Sequence, residues 1–580
     1  MSRQGHGGAG RPTPQRNIRQ PEKQTVATWI FRYHRAQPIV KFPHQRIHRE
    51  IQDRLIAVIL TLSSLLGSAS DCRSQTGRDA APRKVLFFDL WKLDYWDNIE
   101  LRQGEPRWLA EGTYNDPAVA KSGVYFPTVW HDTSSGQWRM VHSIKWSPFT
   151  MMAAQSDDGI RWRPLPVPDA KPEGEKLAPN HVFSGPGVSG GCAYIRPDAP
   201  DGFRFRIFGR QNGDSVFQRA LKSPNHPWHQ LAKTEGQKRY MSEAVTIVSR
   251  DGKQWELKTG GHWDWSRRDW HPEPPVFAFW NPVNRKHTML VRPGWGDRRQ
   301  CIRVSSDLKS WADPELLFQP DSLDTKGPVG MYGLPVHPVG NGAGFVGLLW
   351  MFHNSSSEPV NSFNQFFGTM DAQLVYSYDG VRFSRGKREP FLKLNPIPLP
   401  GCTQMRVGSI VETKGEVLIY SEAHRGAHGR ERSEQKRSEE SLGSLAVHRL
   451  RKDGWMYLQS RGDWARIQTK PFALWRPEIK INAQADYGEV RFQLTDEKSQ
   501  PLKGFEFENC LPLRGADSLA FPLRWKDTKL EGAVNKVLRL EIKFRQANVF
   551  ALDMAHHFLD AHDQWLLKEG KPVEALLFDY

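Results

Sequence analysis

From residue 124 onward, apolar residues come in short runs bounded by Gly, Pro, Asn and Asp, and the 3.6-residue period of a long amphipathic helix is not sustained. Residues 124–130, 137–144 and 150–155 read as three successive strands, with 161–165 as a fourth. The segments 275–280, 286–292 and 300–304 repeat the pattern, as do 345–352 with 373–377, and 408–411 with 416–421 and 445–450. From about Trp464 the pattern changes. Gly488–Leu494 and Leu538–Phe544 alternate strictly between apolar and polar, as strands with one buried face must. With 478–481 and 521–525 they predict a β-sandwich ending near Phe550, followed by a helical tail over 551–580.

One short motif punctuates these strands. Ser156-Asp157-Asp158-Gly159-Ile160-Arg161-Trp162 is followed by Ser249…Asp251-Gly252…Trp255, Ser305…Asp307…Trp311 and Ser377…Asp379-Gly380…Phe383, with a degenerate copy at Asp453-Gly454-Trp455. Asp caps local amides, Gly accepts positive φ, and the aromatic three or four residues on anchors the outgoing strand, so each copy predicts a tight hairpin. Hairpins that recur between short strands are the mark of a radially repeated sheet. The predicted fold is all-β: a five-bladed β-propeller over 84–465, one blade per motif, then a small antiparallel β-sandwich over 466–550.

Composition agrees with many tight turns: 22 Trp, 48 Gly and 41 Pro in 580 residues. Residues 1–54 are polar and basic and lead into the uncharged run Leu55–Leu66, too short to span a bilayer but suited to a signal-peptide core, with Arg49 and Arg54 before it and Ser68-Ala69-Ser70 after it. Export to the periplasm or medium is expected, with the leader over residues 1–70 and the signal over 46–70. Asp71 spoils Cys72 as a lipid-attachment site, so no stable membrane anchor is expected. The leader holds eleven Lys/Arg against three Asp/Glu, half of the chain's net +16. The remaining charge shows no dense basic run interleaved with aromatics, which argues against a nucleic-acid partner. Five scattered cysteines without a CxxC pair argue against a zinc site or a disulfide framework, and their odd number leaves at least one thiol unpaired within the chain. His556, His557, His562 and Asp563 sit together in the tail, but without a rigid scaffold they predict no metal, and no cofactor is expected.

Leu86-Phe87-Phe88-Asp89-Leu90-Trp91, the Ser-x-Asp-Gly-x-x-Trp turns, Arg449–Trp455, Thr469-Lys470-Pro471-Phe472, Ile481-Asn482-Ala483, Gly488-Glu489-Val490 and Gly504–Cys510 together resemble exported proteins of the five-bladed propeller glycosyl hydrolase superfamily. That superfamily also holds invertases, levansucrases, arabinanases and β-xylosidases, and the likeness covers roughly residues 84–550. It implies a C-terminal sandwich, a carbohydrate substrate, a monomer, and carboxyl groups at the mouth of the central channel.

Glycoside hydrolysis needs two carboxyl groups across the scissile bond. Asp116, in Tyr114-Asn115-Asp116-Pro117, is similar to the Asn-Asp-Pro of invertases, where the Asp is the nucleophile; a plain Asx-turn before Pro is the alternative. Glu273 stands seven residues before Trp280, where the resemblance implies an acid, and its neighbours Trp270 and His271 suit a sugar subsite. Glu422, near His424 and His428 at the end of an apolar strand, suits an acid of raised pKa. Glu243 is a weaker substitute. Arg299, Tyr332 and Arg406 complete the expected substrate contacts with His424. The reading is a secreted glycoside hydrolase on poly- or oligosaccharides. A carbohydrate-binding propeller without catalysis is the alternative, and a sialidase a third, which three arginines converging on one pocket would favour.

Overall fold

The computed structural model describes residues 83–117, 123–145, 148–226, 228–234, 241–259, 273–292, 298–324, 329–354, 367–394, 402–425, 428 and 443–576. The expected signal peptide and leader lie outside them. Among the described residues, no helix is long and apolar enough to cross a membrane.

The chain opens with β1 (Arg83–Leu86), β2 (Leu93–Asp97), β3 (Ile99–Gln103) and β4 (Arg107–Tyr114). Unit one is β5 (Tyr125–Asp132), β6 (Gln137–Lys145), β7 (Phe149–Ser156) and β8 (Arg163–Pro164), with β9 (His181–Gly185) pairing the other end of β7. Unit two has β10 (Val188–Ser189) and β11 (Tyr194–Ile195) side by side on β12 (Phe205–Asn212), then β13 (Ser242–Ser249) and β14 (Glu256–Thr259). Unit three is β15 (Glu273–Asn281), β16 (Lys286–Arg292), β17 (Gln300–Ser305) and β18 (Glu315–Phe318). Unit four has β19 (Val329–Gly333) and β20 (Val336–Val339) on β21 (Gly344–Asn354), then β22 (Gly368–Ser377) and β23 (Ser384–Leu392). Unit five is β24 (Cys402–Glu412), β25 (Glu416–Arg425), β26 (Gly443–Arg451) and, from the far end of the chain, β4. The long step between the first two motifs holds an insertion: helices α1 (Asp214–Lys222) and α2 (His229–Ala232) fill the connection from β12 to β13.

The four complete motifs fold identically. In each, the Ser hydroxyl accepts from the amide three residues on, at 2.8–2.9 Å, and one Asp Oδ1 accepts two successive amides at 2.7–2.9 Å. Gly159, Gly252 and Gly380 take φ of 76°, 77° and 69° there, and Leu308 is held at 64° in the third copy. A side chain at these glycines would also collide with the preceding unit: Gly252 lies against the Trp130 ring and Gly380 against Asn281. Tyr420 of unit five donates to the Gly159 carbonyl of unit one at 2.9 Å, so the last unit meets the first. Ser409 bridges the same pair, donating to Pro127 O at 2.8 Å and accepting from Val129 N at 3.0 Å. One cavity of about 340 Å³ is lined from all five units, by Val129, Tyr194, Phe277, His337 and Ser409 among others. These contacts close the ring of a β-propeller.

Trp255 is buried, with its ring 5.9 Å from Phe205 and its Nε1–H on Gly252 O. We expect Trp255→Ala to cost about 3 kcal/mol in denaturant unfolding. Asp251→Ala, which removes the carboxylate that accepts from two backbone amides at a solvated turn, should cost roughly 1 kcal/mol. Equal losses would mean that the turn is not organised by its aromatic anchor.

The degenerate motif differs. Positive φ falls on Asp453 (61°) rather than Gly454, and the Asp453 carboxylate pairs with Lys84 Nζ at 3.0 Å. The chain then leaves the ring, and β27 (Met456–Ser460), β28 (Ala465–Thr469), β29 (Phe472–Thr495), β30 (Leu513–Pro522), β31 (Val537–Arg545) and β32 (Asn548–Phe558) join β1, β2 and β3 in one nine-stranded sheet. The sequence reading placed the residues from 84 in the propeller and expected an antiparallel sandwich. The observed sheet is antiparallel in register, with Val490 opposite Phe544 and Leu494 opposite Leu540, but it also recruits three N-terminal strands, and the 24-residue β29 serves β30, β31 and β32 in turn. The apolar positions of Gly488–Leu494 and Leu538–Phe544 form its core, with Val490, Phe492, Leu540 and Ile542 fully buried. The expected helical tail is shorter: β32 runs to Phe558 and α3 spans Ala561–Lys568, with Asp560 and Asp563 in a capping box. His557 pairs with Asp563 at 2.7 Å, and no group of three or more metal-ligating side chains occurs among the described residues. Cys192, Cys301, Cys402 and Cys510 form no disulfide among the described residues.

Candidate active site

In an antiparallel unit the second strand ends where the third begins, and the first strand starts at that same end. The mouth defined this way carries every described candidate, while the four Asp turns lie at the opposite end. Side chains from different units meet there because the first strands converge on the axis.

Glu422 and His424 alternate on one face of β25, and the register sets Arg406 of β24 directly opposite Glu422. Arg406 Nε stands 3.1 Å from Glu422 Oε1, and His424 Nε2 stands 3.3 Å from Oε2. All three are buried, and the Tyr125 ring lies 4.7 Å from His424. Burial pushes the Glu422 carboxyl up to about 7, although Arg406 and the Phe126 amide pull it down. The folded protein therefore holds a proton between about pH 4.5 and 7 that the unfolded chain has lost. This group's contribution to stability should fall by about 3 kcal/mol as pH rises through that window. Glu422→Gln should flatten that part of the stability profile, measured by denaturant unfolding at intervals from pH 4 to 8.

Glu273 begins β15. Arg210 Nη1 of unit two lies 2.9 Å from one carboxylate oxygen and Arg292 Nη2 of β16 lies 3.7 Å from the other. Burial acts to raise its pKa, but Arg210 and Arg292 outweigh it and hold the carboxylate below the usual range. Its side chain is 45% exposed, against 0% for Glu422 and 3% for Asp116, so solvent reaches this carboxyl far more freely. Arg292 also lies over the Tyr332 ring, 4.2 Å from its centroid, with Arg298 at 5.4 Å. The Tyr332 hydroxyl meets His428 Nε2 at 3.0 Å. Arg299 is half-buried beside Arg298. Trp270 and His271 lie outside the described residues.

Asp116 accepts from Asn180 Nδ2 at 2.8 Å and faces His142 Nε2 at 3.4 Å. It is buried despite preceding β5 by several residues, because Asn180, fixed to Ala153 O at 3.1 Å, reaches across to it. Asn115 accepts from Ser444 Oγ at 2.8 Å, next to Gly443, which backs onto the His424 ring. The Asp116 group thus adjoins the Glu422 group along the start of β26. Glu243 is taken by Arg219 and His226, each at 2.9 Å.

Each of the three carboxyl groups therefore has its own partners. Sequence reasoning missed Arg210 and Arg292; Arg292 had a signal, a charge closing a largely apolar strand, whereas Arg210 sits inside the mixed sequence of β12 and had none. It also missed His142 and Asn180, which carry no local signal.

No family model matches the chain, and no curated protein matches it in sequence. Among solved structures, it is similar to the catalytic domain of an α-L-arabinofuranosidase from Coprinopsis cinerea (10% identity, TM-score 0.38, 60% of this chain and 98% of that one). It is also similar to an N-acetylgalactosamine deacetylase from F. plautii (12%, 0.37, 61% and 96%). A third is a β-fructofuranosidase from Bombyx mori (11%, 0.33, 78% and 94%). By its own strand order and ring contacts, the chain is an all-β protein of the β-propeller type.

Proposed function

We propose that the protein is an exported glycoside hydrolase acting on poly- or oligosaccharides at the mouth of its propeller. The observation that supports this is a pair of carboxyl groups at one mouth whose surroundings push their pKa values apart: Glu422 up to about 7 and Glu273 down. Glu422 keeps a proton near neutrality and suits the general acid that protonates the leaving oxygen. Glu273, ionised and solvent-facing, suits the base or nucleophile, with Asp116 as the other candidate for that role. Tyr332 and Arg299 hold the substrate, while Arg406, buried against Glu422, fixes that carboxyl, and Trp270 and His271 are sequence-based candidates for the same subsite.

The experiment is digestion of a glycan panel by the purified protein, with products separated by size. New shorter products support the hydrolase. Binding without cleavage on the whole panel would overturn it in favour of a carbohydrate-binding propeller. The arginines favour a second reading: Arg210, Arg292 and Arg298 gather on Glu273 and Tyr332, as recognition of an acidic sugar requires. On that reading sialosides and uronate polymers in the panel are cleaved in preference to neutral glycans.

A further inference from the structure

A cavity of about 790 Å³ opens away from the mouth, between the outer strands of units four and five and the C-terminal sheet. Its walls come from Glu100 and 102–108 (the β3–β4 segment), from Lys387 and 389–393 at the end of β23, and from His448 and Tyr457. That size falls within the roughly 300–1,000 Å³ typical of small-ligand sites.

The floor is aromatic and apolar. Trp108 and Tyr457 are half-buried, Phe391 is buried, and Trp455 stacks behind Phe391 at 5.8 Å. Trp108 and His448 are direct cross-strand partners on β4 and β26, so their side chains share this face. Three buried polar atoms just beneath the lining, Trp108 Nε1, Gln103 Oε1 and His448 Nδ1, have no hydrogen-bond partner among the described residues. Leaving such groups unpaired costs about 1–3 kcal/mol each, and ligand hydroxyls, or waters carried with them, would reach them after a small side-chain movement. Burial lowers the His448 pKa to about 4, so the floor is uncharged at neutral pH.

The rim is nearly balanced. Arg102, Arg107, Lys387 and Lys393 face Glu100, Glu105 and Glu389, so the site offers little field to either an anion or a cation. Flat aromatic surface, unpaired donors and acceptors, and near-neutral charge together fit a ligand with an apolar ring face and many hydroxyls.

We propose that this cavity is a second binding site, separate from the mouth, for a neutral saccharide. It does not depend on cleavage at the mouth.

The test is calorimetric titration of the full chain with cellotriose, maltotriose, mannotriose and arabinotriose, and with trigalacturonate as the acidic counterpart. At least one neutral trisaccharide should bind. Trp108→Phe keeps an aromatic ring but removes the N–H donor and should weaken that binding about tenfold. Trp108→Ala should abolish it, and unchanged thermal unfolding of Trp108→Phe shows that the loss is not one of folding. The proposal is overturned if no neutral probe binds, if trigalacturonate binds more tightly than all of them, or if Trp108→Phe binds like the parent.

Discussion

Glu422→Gln should lower kcat on a cleaved glycan by about 10²–10⁴-fold while substrate binding survives. The amide keeps the volume of the carboxyl but cannot donate a proton to the leaving oxygen. Glu273→Gln should do comparable damage for the opposite reason, since it removes a charge that Arg210 and Arg292 stabilise. The two variants separate in their dependence on leaving group. Glu422→Gln should recover on aryl glycosides whose phenolate departs without a proton, and Glu273→Gln should not. The parent's activity should fall on the alkaline side as Glu422 ionises with a midpoint near 7, and this limb should vanish in Glu422→Gln. Parent-level rates in both variants would remove the mouth from consideration as a hydrolytic site.

Arg406→Met should destabilise the fold by about 3–5 kcal/mol at pH 8, because the buried Glu422 must then either stay ionised without its partner or take up a proton at that pH. Arg406 is 1% exposed and Glu422 fully buried, so water cannot substitute for the lost guanidinium. At pH 5 Glu422 is protonated in the folded state, and the loss should shrink by half or more. Denaturant unfolding at the two pH values checks this. An equal loss at both would mean that Arg406 acts through packing alone.

Much of the ring was legible because its signals are local. The motif at Asp158, Asp251, Asp307 and Asp379 states its hydrogen-bonded turn in consecutive residues, and segments such as 286–292 and 416–421 announce strands by composition. What escaped are pairings between distant segments. Nothing in Arg107–Tyr114 says that it completes unit five, and nothing in Arg83–Gln103 says that it joins the C-terminal sheet. Asp453-Gly454-Trp455 looked like a fifth hairpin because its residues match, but Lys84 and Asn482 hold its Asp for another purpose. In the site, Glu422, His424 and Arg406 were each visible as polar residues on or beside apolar strands, whereas their mutual contact depends on the β24–β25 register. Glu273 was found by its spacing to Trp280, but its arginine partners come from another unit and from a neighbouring strand's end.

The strand that completes unit five is synthesised before any of the ring it closes. Asn115 and Ser444, bonded across this seam, are 329 residues apart in the chain. At about 5–20 residues per second, β4 waits roughly 15–70 s on the nascent chain before its partner exists. During that interval Trp108, Leu109 and Tyr114 present an unpaired edge, which invites pairing with other chains. High contact order also predicts slow folding once the chain is complete. A nascent propeller of this design gains from a holdase or an export route that keeps it extended until β26 has emerged.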